Sequence, residues 1–245
     1  MTSMSDLRTT EDAEMRLDGE GAGVRPAAMD EVRRVCRGWS GAVGRCGCAE
    51  ERIDFFRGAL PALLARAELL AGVLEGIADG RPLPDLRLAT VFENEFVLHQ
   101  DPGGLFSLRL YLYGPAEFTF VHDHVTWGVS GPARGRLEVL RYRRTDDGAD
   151  PNLARLEPAG RLALAPGETE ITLPLERGIH RTGNPGAGTT WMLSVYGPPA
   201  RRAVMHRFDL ETGRVRPLHP PRVQKRLLAQ QALSEQVAEK RRLEP

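Results

Sequence analysis

The segment FTFVHDHVTWGVSG, residues 118–131, carries two histidines two positions apart among aromatic and β-branched residues. Side chains at i and i+2 of a strand point to the same side, so His122 and His124 share one face. Phe118 and Phe120 precede them on that face, and large apolar residues favour an interior position. The pattern therefore predicts a strand that directs two imidazoles inward, which is typical of a functional site.

Short alternating segments, bounded by Gly, Pro and Asp, surround these histidines. FSLRLYLY, residues 106–113, alternates strictly between an apolar face and a face made of Ser107, Arg109, Tyr111 and Tyr113. Further strands are predicted at 91–99, 117–125, 135–143, 160–165, 169–173, 179–183, 189–196 and 203–208. Many short strands with regular turn signals indicate an antiparallel sandwich or barrel.

Apolar residues with helical spacing come before and after the strands. They predict helices over 27–39, 49–78 and about 223–237, with Pro61 starting a new helix or kinking the second one. The polar first segment predicts disorder. We therefore expect a disordered N-terminus over 1–25, a helical extension over 26–85, a β-barrel over 86–215 and a helical tail over 216–245.

The composition is that of an ordinary soluble globular protein of 245 residues, with 33 basic and 33 acidic side chains. Zero net charge favours neither a nucleic acid nor a membrane as partner. No apolar run approaches the roughly 20 residues of a spanning helix, and the polar N-terminus lacks a signal-peptide core. Cys36, Cys46 and Cys48 are expected to be free thiols in a reducing cytoplasm, with a C-x-C metal site as the alternative.

A metal site at the HDH segment needs a third ligand among the other four histidines. His180 is the best candidate, because it follows a glycine turn at the start of a predicted strand. His99 is expected at a strand end, whereas His206 and His219 are expected in surface or loop positions. The alternative is that His122 and His124 are ordinary strand histidines, one of them hydrogen-bonded in the core.

The second histidine segment reads P-x-x-x-G-x-H-x-x-x-N from Pro174 to Asn184. Together with HDH and its following glycine, it resembles the two motifs of the cupin superfamily, in which the usual glutamate ligand is here replaced by Gly128. A three-histidine set resembles one branch, the cysteine dioxygenase-like thiol dioxygenases. HDHVTWGV, GIHRTGNPG, SVYGPP and HRFDLETG occur in that family's order, over about residues 90–215.

This resemblance implies a mainly β fold, the cupin double-stranded β-helix barrel, with N-terminal helices and a C-terminal helix. It implies a metal, Fe(2+) before Zn, Ni or Mn, held by His122, His124 and His180, and a polar role for Tyr196 beside substrate or dioxygen. The implied activity is oxidation of a small thiol with O2. The alternatives are a metal-dependent cupin enzyme acting on a non-thiol small molecule, and a non-catalytic cupin that binds a small molecule.

Three positions depart from the family's pattern around the tyrosine. The serine and histidine that normally precede it at two-residue steps fall on Met192 and Ser194, so the usual hydrogen-bond relay is broken. The cysteine that mammalian-type enzymes link to the tyrosine falls on Val129. We therefore expect no thioether cofactor.

The arginine that holds the substrate carboxylate in the cysteine enzymes is also missing. No arginine lies between Arg87 and Arg109, and Glu93 and Glu95 stand near the expected place. If Glu95 points inward, its charge favours a cationic or neutral substrate. A related bacterial group uses an arginine after the tyrosine, and Arg202 is the candidate for that substrate-binding role.

Overall fold

The computed structural model describes residues 28–80, 90–199 and 203–243, with side chains described as far as residue 236. The N-terminus over 1–25, for which the sequence predicts disorder, lies outside these residues, as does Arg202. The described ranges contain four α-helices, namely α1 (Ala28–Val43), α2 (Ala49–Leu64), α3 (Ala67–Ala78) and α4 (Pro221–Leu243). Within the described segments, no helix combines the length and the apolar character needed to cross a membrane.

The N-terminal helices form because their apolar residues repeat at helical spacing and have a sheet to cover. In α1 the buried side chains are Val32, Cys36, Trp39 and Val43. Pro61 lies in the last turn of α2, and the helical run is interrupted after Leu64, before α3 begins. The interruption of the helix that Pro61 predicts is therefore present, but it follows Leu64 rather than Pro61 itself.

Eleven strands follow within the described residues. They are β1 (Glu95–Gln100), β2 (Ser107–Tyr113), β3 (Val121–His122), β4 (Gly128–Arg134), β5 (Leu137–Arg144), β6 (Leu156–Leu164), β7 (Glu170–Thr172), β8 (His180–Gly183), β9 (Thr190–Tyr196), β10 (Met205–Phe208) and β11 (Val215–Leu218). Two of them, β4 and β11, were not predicted from the sequence. Strand β4 reads GVSGPAR, and its glycines and proline are turn signals that tertiary packing overrides.

The strands form two antiparallel sheets with the orders β1-β2-β9-β4-β7 and β11-β10-β3-β8-β5-β6. The central orders 2-9-4-7 and 3-8-5-6 are those of a jelly roll, in which two Greek keys wrap into a flattened barrel. This topology confirms the expected fold: a mainly β, cupin-type barrel preceded by helices and followed by one. The two histidine strands, β3 and β8, are neighbours in the second sheet.

The first sheet presents its apolar face to the helices. Leu108 and Leu110 of β2 and Val195 of β9 are buried in the same core as Phe56 and Leu60 of α2. Because side chains alternate along a strand, the polar face of β2 must then point into the barrel. The helical layer thus decides that Ser107, Arg109, Tyr111 and Tyr113 line the interior.

The three cysteines are free thiols in the structure. Cys36 lies in the helical core, where burial raises the pKa of its thiol to about 12. A thiol with so high a pKa stays protonated and is a poor metal ligand. Among the described residues, neither Cys46 nor Cys48 belongs to a group that could hold a metal ion.

Candidate metal centre

Three histidines meet inside one end of the barrel. His122 on β3 and His180 on β8 are direct partners across the antiparallel ladder, so their side chains point to the same side. His124 follows two residues after His122, just beyond the end of its strand. The ligand nitrogens of the three side chains lie within 4.8 Å of one another, and all three residues are buried.

The geometry of the three rings suits a metal ion. His122 donates from Nδ1 to the carbonyl of Phe120 at 2.9 Å, which leaves its Nε2 lone pair free for a metal. The Nε2 atoms of His124 and His180 are 3.0 Å apart. Two imidazole nitrogens, each about 2.1 Å from one ion and at right angles, would be separated by about 3.0 Å. The cluster could therefore hold a metal ion with little rearrangement.

Burial also keeps the three imidazoles in the neutral state that metal binding requires. Burial lowers the pKa of His122 to about 4, and it lowers the pKa of His124 and of His180 well below the ordinary histidine value. The neighbouring imidazoles and the Arg141 guanidinium lower the pKa of His180 further. Within the described segments this is the only group of three or more ligand-type side chains that could hold an ion, and it contains no carboxylate.

Tyr196 of β9 lies directly against this cluster. Its ring stacks on that of His124, with centroids 5.4 Å apart and planes inclined by 22°. Its hydroxyl is 3.5 Å from that of Tyr111. Burial raises the pKa of Tyr196, so that its phenol remains a hydrogen-bond donor at neutral pH.

Ser194 takes the position at which the resembled family has its relay histidine. Its Oγ lies 2.8 Å from the Oγ of Ser130, and both side chains are buried. Ser130 and Ser194 are also direct partners in the β4–β9 ladder. Ser130 and Ser194 therefore form a buried pair of hydrogen-bonded hydroxyls between neighbouring strands.

A cavity of about 360 Å³ opens beside His124, and we call it the His124-side cavity. Its lining includes Glu95, Arg109, His124, Thr126 and Tyr196. The Oγ1 of Thr126 is buried and has no hydrogen-bond partner among the described residues. A cavity of this size that combines apolar walls with a few polar groups is typical of a small-molecule site.

Arg109 supplies the cation that the sequence reasoning missed. It forms an ion pair with Glu95, and its guanidinium carbon lies 5.6 Å from the centre of the Tyr196 ring. The side chain of Arg109 is 27% exposed and that of Glu95 only 1%. Glu95 does point inward, but its charge is balanced by the arginine. The strict alternation of residues 106–113 already placed Arg109 on the face opposite the leucines. Because the helices cover the leucine face, Arg109 lies on the face inside the barrel.

The remaining candidates lie elsewhere. Arg202 is outside the described residues, so its position relative to the cavity is not part of the structure. His206 contacts Asp123, the residue between the two HDH histidines, through a 2.8 Å hydrogen bond from Nδ1 to the carboxylate. Asp123 also accepts the backbone N–H of His206, which ties β10 to the histidine strand. His99 lies on β1, away from the cluster.

No protein-family model matches the chain. Similar solved structures include a cupin-2 domain of an XRE family transcriptional regulator from Enterobacter cloacae, with 15% identity and a TM-score of 0.32, covering 43% of this chain and 96% of that one. A second protein, TT1209 from Thermus thermophilus, shares 23% identity with a TM-score of 0.31, over 46% of this chain and 92% of its own. The oxalate decarboxylase formate complex from Lactobacillus farciminis shares 18% identity with a TM-score of 0.32, over 44% of this chain and 30% of its own. The strand order and the histidine cluster together describe the chain: a cupin-type barrel whose three buried histidines could hold a metal ion.

Proposed function

We propose that the chain is a non-haem iron-dependent dioxygenase that oxidises a small thiol at the three-histidine site. One observation carries this proposal: three neutral imidazoles lie beside a cavity whose lining includes the Arg109 guanidinium and the protonated phenol of Tyr196. In the overall reaction, a thiol R–SH and O2 give a sulfinic acid R–SO2H. Sulfur loses four electrons and both oxygen atoms are reduced and retained, so no further reductant is needed.

The donor set supports a metal such as iron without selecting it. Imidazole suits Fe, Zn, Cu and Ni alike, and no carboxylate in the cluster offsets the charge of the ion. An iron ion bound there would supply a common binding place for the thiol and dioxygen, and its charge would favour the thiolate. His122, His124 and His180 are the residues that would hold it.

The other residues around the His124-side cavity would position the substrate. Arg109 and Glu95 both line the cavity and form an ion pair, so the guanidinium is held in place beside the space for the substrate. Tyr196 presents a phenol that can donate a hydrogen bond beside His124. Phe92 contacts His122 edge to face, with ring centroids 4.9 Å apart, and lines the same cavity. Substrate would thus be oriented between a charged anchor and the histidines.

One observation favours a second candidate, a metal-dependent cupin enzyme acting on a non-thiol small molecule. The Glu95–Arg109 pair carries no net charge, so the cavity does not select strongly for a mercapto-carboxylate. A neutral polar substrate would be tolerated there. The two candidates share the metal site and differ in what the cavity accepts.

The test is oxygen uptake by the iron-loaded full-length chain with cysteine, cysteamine and 3-mercaptopropionate, each paired with its hydroxyl analogue. We expect thiol-dependent uptake, and sulfinate that carries two labelled oxygens when ¹⁸O2 is supplied. The variant His124→Ala, reconstituted in the same way, is the matched control. Uptake that is absent with every thiol, in protein with full iron occupancy, would rule out the thiol reaction and leave the second candidate.

A further inference from the structure

A second cavity lies beside His180, another histidine of the cluster. It has a volume of about 370 Å³ and is bounded by β5, β7 and the helical turn Leu175–Gly178. Its lining includes Arg141, Arg143, Ile171, Leu173, Arg177 and His180. We call it the His180-side cavity. It has no lining residue in common with the His124-side cavity.

Three guanidinium groups surround this cavity, and they are incompletely paired. Arg141 donates from Nη2 to Glu170 at 2.9 Å and to the carbonyl of Ile171 at 3.2 Å, but its side chain is still 42% exposed. Arg143 reaches Glu157 only at 3.5 Å, with both side chains largely exposed. Arg177 has no ion pair or hydrogen bond within the described part of the chain. The cavity lining therefore includes guanidinium N–H donors that are available to a bound acceptor.

The single carboxylate in the lining is already occupied elsewhere. Glu176 pairs with Arg144 at 3.2 Å, outside the cavity. Glu170, which pairs with Arg141, is buried and lies on the barrel side, where it also accepts a 2.9 Å hydrogen bond from Thr172. In the lining, three guanidinium groups thus outnumber the single carboxylate, which already pairs with Arg144.

Part of the cavity lining is apolar. It includes the aliphatic residues Ile171, Leu173 and Ile179. Guanidinium forks match carboxylate oxygens with parallel charge-assisted hydrogen bonds, whereas aliphatic walls favour a compact apolar body. We propose that the His180-side cavity is a binding site for a small organic carboxylate, separate from the His124-side cavity.

The position of Arg141 links this cavity to the barrel interior. Arg141 is the direct partner of His180 in the β5–β8 ladder, so both side chains lie on the same side of the sheet. A carboxylate bound to the outward donors of Arg141 would lie one residue away from the histidine cluster. The inference itself depends neither on the metal nor on the thiol reaction.

The test is calorimetric titration of the full-length chain with benzoate at low salt, with benzyl alcohol as the uncharged analogue. The double variant Arg143→Gln/Arg177→Gln removes two exposed guanidiniums and leaves the Arg141–Glu170 pair intact. Its matched control is Arg214→Gln/Arg216→Gln, which removes the same charge from exposed positions elsewhere. A second control, Glu95→Gln/Arg109→Gln, alters the His124-side cavity.

We expect benzoate to bind, benzyl alcohol not to bind, and the Kd for benzoate to rise about tenfold or more in the Arg143/Arg177 variant. Both control variants should keep the original Kd within about twofold. The proposal is overturned if benzoate gives no heat up to about 10 mM, a limit far weaker than a specific site would show. It is equally overturned if the Arg143/Arg177 variant binds as tightly as the unaltered chain, or if affinity is lost in the Glu95/Arg109 variant instead.

Discussion

The phenol ring of Tyr196 occupies the space that any side chain at position 128 would need. A Cβ placed on Gly128 would lie 2.8 Å from Cε1 and 2.9 Å from Cδ1 of that ring. The two residues face each other in the β4–β9 ladder. Position 128 is where the cupin motif has its glutamate ligand. In this fold the Tyr196 ring fills the space that such a glutamate would need.

We therefore expect Gly128→Ala to disturb Tyr196 and destabilise the barrel by about 1–3 kcal/mol, the usual cost of overpacking. The cost should shrink when Tyr196→Ala is introduced in the same chain, because the ring that causes the clash is gone. Chemical denaturation of the four chains of this double-mutant cycle measures the coupling. Gly160→Ala is the control, since a Cβ there meets nothing within 4 Å. Additive costs would contradict the arrangement.

Replacing any one of His122, His124 and His180 with Ala should remove most of the bound metal, because two imidazoles make a poor chelate. Elemental analysis of each purified variant measures the loss. His219→Ala should keep the metal content of the unaltered chain, since this histidine lies outside the cluster. Full occupancy in His180→Ala would show that another group provides the third ligand.

Tyr196→Phe should lower the turnover number by about ten- to a hundredfold while leaving iron content unchanged, because only a positioned hydrogen-bond donor is lost. Steady-state oxygen uptake on iron-quantified protein provides the measurement. Tyr113→Phe is the control, since its hydroxyl has no hydrogen-bond partner among the described residues. A turnover number that Tyr196→Phe leaves intact would reduce the role of this residue to packing against His124.

Arg109 and Arg202 are competing anchors for a substrate carboxylate. If Arg109 holds it, Glu95→Gln/Arg109→Gln should raise the Michaelis constant for 3-mercaptopropionate by an amount equivalent to roughly 2–4 kcal/mol, and Arg202→Gln should not. Cysteamine, which lacks the carboxylate, should be unaffected by either change. Free cysteine should be a poor substrate, because the arginine and the relay histidine of the thiol dioxygenases that the sequence resembles have no counterpart at those positions. If instead Arg202→Gln raised the Michaelis constant for 3-mercaptopropionate and the Glu95/Arg109 variant did not, Arg202 would be the residue that binds the carboxylate.

Acid should destabilise the metal-free protein through its neutral buried histidines. The pKa of His122 is about 4 in the fold, against about 6.5 for an unfolded histidine. Between these values the unfolded chain binds more protons, so the free energy of unfolding falls as pH drops below about 6.5, by up to a few kcal/mol. Denaturation of metal-stripped protein at several pH values tests this. His122→Asn should make the profile shallower, since one of the three histidines is removed, whereas His219→Asn should leave it unchanged. A flat profile in the unaltered chain would refute the expectation.

The sequence by itself was enough to predict the class of fold and the gathering of three histidines. The change from helical to alternating periodicity near Leu88 marks the start of the barrel region, and the i, i+2 spacing of HDH places both imidazoles on one face. These features are local, and periodicity along the chain records them directly. The resemblance of the segment around His180 to a second cupin motif then indicated which distant strand would complete the cluster.

Only the tertiary structure decided which face of each strand is inside and which charges meet there. Residues 106–113 alternate equally well in either orientation, and the helices settle the matter by burying Leu108 and Leu110, which turns Arg109 inward. Strand β4 escaped prediction because Gly131 and Pro132 disfavour a strand locally, whereas pairing on both sides with β7 and β9 stabilises it. Pairings such as Glu95 with Arg109 join separate strands, and no periodicity within one segment encodes them.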